Sequence, residues 1–180
     1  MPSLMTSLTD GQRSFLALEQ IVVPALFNFA FNAVLGWLEF RTHTPLPLWG
    51  EPSMGLDLLG MLFFLPAFSC LIGTPLIRHA ARQGKVDWLP YSLSEHALLR
   101  RLPSSTWRRA AVLGALCTGV LGPLSIGAIL LAGATSWSLW DAVIFKGLYA
   151  GILAALVTPW LALYALLDER AVPLPPMHQH

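Results

Sequence analysis

The polar side chains that fall inside otherwise apolar stretches are the ones able to do chemistry in this chain. A polar group in such a place has to bond, bind or move something to offset its desolvation. Gln20, Asn28 and Asn32, interleaved with Pro24 and Gly36, recur every four residues and form a slowly drifting stripe along one helix face. Amides one turn apart either bond across to a neighbouring helix or wall a path for a polar solute. Three intramembrane charges join them: Glu19, on the face opposite Asn28, and Asp57 and Lys146, which stand at matched depth near the other end of their stretches. Lys146 is expected either to pair with Asp57 or to extend its ammonium to the headgroup level. Glu19 is expected to pair with Arg108 or Arg109, or else to carry a proton.

Signatures of catalysis are missing. No nucleotide-binding loop, HExxH or Ser-His-Asp arrangement can be placed, so an enzyme is not the leading expectation, a lipid-modifying one standing third, and no cofactor or metal is expected. Cys70 and Cys117 lie in apolar runs and read as small packing residues.

The elements that must position these groups follow from composition. Of 180 residues, 55% are hydrophobic and 12% charged, and the mean hydropathy is +0.61. A soluble domain carries roughly 25% charged residues. This balance excludes a soluble enzyme and a disordered chain, and a net charge of +1 excludes a polycation built for nucleic acid. The expected class is an all-α polytopic membrane protein, a four-transmembrane-helix bundle forming a single membrane domain over 1–170. A spanning helix needs about 20 apolar residues, and the stretches at about 15–38, 55–77, 110–133 and 142–167 qualify. The first reads as an uncleaved anchor, since its apolar run is too long for a signal segment.

Seven of the eleven Lys and Arg residues fall between the second and third stretches. The positive-inside rule then places this 78–109 loop in the cytoplasm of a bacterial-type inner membrane, with both termini on the same side. Trp37, Trp49, Trp137 and Trp140 gather at the outer boundary, and Trp88, Trp107 and Trp160 at the inner one. Within the loop, Ser92 to Glu95 fits a capping box, and an amphipathic helix on the inner leaflet is expected. Arg100, Arg101, Arg108 and Arg109 are the expected contacts for anionic phospholipid headgroups. The Pro-rich tail, 171–180, is expected to be extended.

The chain reads as one hairpin written twice. Pro24 and Pro123 are 99 residues apart, Leu48 and Leu139 are 91 apart, and Thr74 and Thr158 are 84 apart. Both copies start from the cytoplasm, which makes a parallel repeat. Small residues at four-residue spacing, Gly147, Gly151 and Ala155 in one segment and Gly114, Thr118 and Gly122 in the other, are expected to let the third and fourth segments meet closely, or to form a homo-oligomer contact. The leading expectation for function is permease-like or channel-like transport of a small solute or ion along the Asn28/Asn32 stripe. The alternative is an accessory or assembly subunit of a larger membrane complex. The bilayer is the expected partner, and nucleic acid is not.

Overall fold

The computed structural model describes residues 15–85 and 102–167. Arg100, Arg101, the Ser92–Glu95 capping box and the 171–180 tail lie outside the described residues. Four helices are long and apolar enough to cross a membrane: α1 (Ala17–Phe40), α2 (Met54–Arg82), α3 (Thr106–Leu131) and α4 (Leu139–Leu167). α2 outruns the apolar stretch by five residues, because Arg78 to Arg82 continue the helix after hydropathy has stopped. Two short strands also form, β1 (Leu46–Pro47) and β2 (Ser136–Trp137). They pair antiparallel, Leu46 with Trp137 and Pro47 with Ser136, so the fold is not purely helical.

α2 and α4 start alike. Ser53 is in the extended conformation and its Oγ accepts from the Leu56 N–H at 3.4 Å. Ser138 Oγ accepts from the Asp141 N–H at 3.2 Å. Each serine satisfies an amide that has no partner within the helix, and Asp57 and Asp141 place a carboxylate in the first turn, where the helix dipole favours it.

The prolines fall into two groups. Pro24 and Pro75 each follow a stretch of wide π-helical turns, Phe15–Val22 and Ser69–Gly73, whereas α2 runs through Pro66, α3 through Pro123 and α4 through Pro159 as α-helix. A proline removes one backbone donor, and a wide turn is one way to rearrange the carbonyls it leaves.

α4 is the most enclosed helix and lies between α1 and α2, while α3 packs on the far side of α2. The small-residue faces make two of these contacts, but not the one expected from sequence. A Cβ at Gly151 would stand 3.0 Å from the Ala25 carbonyl oxygen, so α4 closes on α1. A Cβ at Gly114 would stand 2.7 Å from the Phe63 carbonyl oxygen, so α3 closes on α2. The two glycine faces do not meet each other. Each takes the backbone of a helix from the other hairpin, where only a residue without a side chain allows such approach. Between α2 and α4 the core is Leu58, Leu62 and Leu65 against Ala150, Leu153 and Ala154. Exchanging α1 with α3 and α2 with α4 leaves this pattern of neighbours unchanged.

Candidate functional site

The structure brings a lysine and two carboxylates from three helices together. Lys146 of α4 is 4% exposed. Its Nζ lies 2.5 Å from Asp57 Oδ1 of α2 and 3.3 Å from Glu39 Oε2 of α1, with the Phe40 ring centroid 5.3 Å away. Gly36 gives the lysine stem its room, since a Cβ there would stand 3.1 Å from Lys146 Cδ. Both carboxylates are held by one ammonium, and the second Asp57 oxygen, Oδ2, is buried without a hydrogen-bond partner among the described residues. The trio carries one excess negative charge when all three groups are ionised. Such a site holds a donor or a cation better than an anion.

This trio closes one end of a groove of about 1030 Å³ between α1 and α2, floored by α4. The walls are mostly apolar. Phe27 and Phe31 are stacked on α1 at 5.8 Å, and Phe64 and Phe68 are stacked on α2 at 5.7 Å. The polar exceptions run along it: Asn32 and Asn28 on α1, Ser69 on α2, and Thr158 on α4. Thr158 is 8% exposed, and its Oγ1 has no hydrogen-bond partner among the described residues.

Among the described residues, neither asparagine is bonded to a neighbouring helix. Asn28 Nδ2 donates to the Pro24 carbonyl at 2.9 Å, and Asn32 Nδ2 donates to the Asn28 carbonyl at 3.0 Å. One N–H of each amide is thus tied to its own helix, four residues back, by the local bonding open to short polar side chains. The amide oxygen and the second N–H are left for the groove. Gln20 continues the stripe and is buried, but it does not line the groove.

The remaining expected residues divide. Glu19 is exposed, and among the described residues no ion pair joins it to Arg108 or Arg109. Arg108 is exposed on the first turn of α3. Arg109 is not a headgroup contact: it is fully buried, its guanidinium lies 4.0 Å from the Tyr164 ring centroid, and Nη1 donates to the Pro103 carbonyl at 3.4 Å. The next residue on a helix is turned by 100°, and that turn carries Arg109 from the exposed face that holds Arg108 onto Thr74 of α2 and Tyr164 of α4. Glu39 was missed from sequence. It stands one residue beyond the expected end of the first stretch, and its only signal is a depth matching that of Lys146 and Asp57.

Comparison of the chain with protein families, with curated proteins and with solved structures yields no match.

Proposed function

We propose that the chain is a four-span integral membrane protein of permease-like function, which takes an amphiphilic small molecule into the groove between α1 and α2. The observation that carries this reading is the groove itself. It pairs apolar walls with a charged end, the complement of a molecule with an apolar chain and a polar head. A hydrated ion would find too little polar lining along most of its length. The excess carboxylate beside Lys146 favours a head that is cationic or rich in donors. In this reading the basic loop between α2 and α3 faces the cytoplasm, and the trio of Lys146, Asp57 and Glu39 lies toward the outer face. The neighbour pattern of the helices and the β1–β2 pair suit a duplicated hairpin with its two-fold axis along the membrane normal.

The stacked phenylalanines on both rims favour a second reading, in which a helix of a larger complex lies in the groove and this chain is an accessory subunit. A photoreactive long-chain alkylamine separates the two. Incorporated into nanodiscs with the full chain, it is expected to label α1 around Asn28–Asn32 and α2 around Gly60–Phe64, and unlabelled amine should compete. Labelling spread equally over the outward face of α3 would reduce the groove to ordinary lipid contact. Groove labelling abolished by a co-purifying membrane protein would favour the accessory role.

A further inference from the structure

A second cavity, of about 470 Å³, lies at the opposite end of the molecule from the trio, between the end of α2 and the start of α3. Its lining includes Arg78, His79 and Arg82 from α2, and none of the described residues that line it is acidic. Arg78 and Arg82 are four residues apart and so share one helix face. From the other side come Thr106 and Trp107, the first residues of a 26-residue helix. Ser105 precedes them and makes no side-chain cap. The first helical backbone bond here is from the Arg109 N–H to the Ser105 carbonyl at 2.9 Å. The amides of Thr106, Trp107 and Arg108 therefore have no partner in their own helix, and the positive end of the helix dipole adds to the basic side chains.

The buried guanidinium of Arg109 prepares this wall. Its Nη2 donates to Thr74 Oγ1 at 3.4 Å and to Thr106 Oγ1 at 3.5 Å, and both threonines line the cavity. A hydroxyl oxygen that accepts from a cation turns its own hydrogen away from it, and for Thr74 the other neighbour of that hydroxyl is Cys70 Sγ at 3.9 Å, a weak partner that a phosphate oxygen would outcompete. Thr74 is 1% exposed, so its hydroxyl is fixed in position. On the rim, Trp107 is 75% exposed, and Ile72 and Leu76 are exposed on the adjacent face of α2. An indole and apolar side chains beside a cationic recess match the boundary between headgroups and acyl chains.

We propose that this cavity binds the phosphate group of an anionic phospholipid, held by Arg78, His79, Arg82 and the hydroxyls of Thr74 and Thr106. Two arginines and uncapped amides suit the fixed geometry of phosphate oxygens, and the exposed Ile72, Leu76 and Trp107 carry the chains. The polar groups of this site are separate from the trio at the other end of the molecule, whereas Ile72 and Leu76 also line the groove between α1 and α2.

The test uses the full chain in detergent, with phosphatidylglycerol added and retained lipid read by native mass spectrometry. Arg78→Gln/Arg82→Gln should lower retention about tenfold, the loss expected when charge-assisted bonds to one phosphate are removed. Arg41→Gln/Lys85→Gln removes the same charge elsewhere and should retain the lipid as the parent does. Arg82→Glu alone, at an exposed position, gives the same reading should the double variant fold poorly. Excess inorganic phosphate should not displace the lipid, because it cannot engage the apolar rim. Equal loss in the Arg41/Lys85 variant would make the binding a general charge effect and overturn the site. Displacement by inorganic phosphate would assign the cavity to the free anion and overturn the lipid as its ligand.

Discussion

The interval between α1 and α2 and the interval between α3 and α4 occupy equivalent places in the neighbour pattern, yet one is open and the other filled. Between α3 and α4, Tyr149 OH meets Ser125 Oγ at 2.7 Å, and its ring lies 5.7 Å from that of Phe145, which in turn lies 4.9 Å from Trp137. Leu121 and Ile126 pack against the same cluster. The 84-residue offset that relates Thr74 to Thr158 also relates Met61 to Phe145 and Leu65 to Tyr149. Met61 and Leu65 line the groove, where Phe145 and Tyr149 fill its counterpart. The same offset relates Asp57 to Asp141, but Asp141 is exposed and bonded to Ser138, whereas Asp57 holds the buried Lys146. The wide π-helical turns occur in the helices flanking the open interval and not in the other two. Such turns are frequent at functional sites. One hairpin is thus built for packing, and the other gives up packing for a groove with polar groups along it.

The largest effect belongs to the charged end. Lys146→Met leaves Asp57 buried without its cation and should lower stability by about 3–5 kcal/mol. Lys146→Met/Asp57→Leu should recover part of that loss in a double-mutant cycle read from unfolding midpoints in fixed lipid. Strictly additive losses would mean that the pair does not hold α2 to α4. On the filled side, Tyr149→Leu imports the residue type of the open side. Loss of its hydrogen bond to Ser125 should lower stability by about 1 kcal/mol, and the variant should admit the alkylamine between α3 and α4. A neutral midpoint with no new labelling would break the equivalence of the two intervals. The smallest effect is expected at the stripe. Asn28→Leu/Asn32→Leu removes bonds made only to their own helix, so stability should change by less than about 0.5 kcal/mol while ligand binding falls. A clear drop in midpoint would show that the amides hold another helix after all.

Much of this arrangement is legible in the sequence because it depends on one helix at a time. Length and apolarity place the four helices, and matched depth puts Lys146 near Asp57. What escapes depends on which helix faces which. The glycine faces of α3 and α4 announce close approach, but nothing in either helix says that the partners are α2 and α1. The asparagines announce a polar stripe, but the bond from each amide to the carbonyl four residues back competes silently with any bond across. Arg109 is counted by sequence among the basic residues of the loop, although its helical phase, one step from Arg108, turns it under Tyr164. The groove itself follows from side-chain size at Met61 and Leu65, which becomes meaningful only beside Phe145 and Tyr149.

Gly60 gives the most direct test of the groove as the ligand site. It lines the groove, and a Cβ there would meet nothing within 4 Å. Gly119, exposed on α3, is equally unobstructed and lies outside the groove. Gly60→Phe and Gly119→Phe therefore add the same ring to two open helix faces, only one of which is the proposed site. The measurement is equilibrium binding of the long-chain alkylamine to each variant and the parent, with unfolding midpoints recorded in the same lipid. Gly60→Phe should abolish binding with its midpoint near that of Gly119→Phe, and Gly119→Phe should bind as the parent does. Parental binding by a folded Gly60→Phe would contradict the groove as the place where this protein holds its ligand.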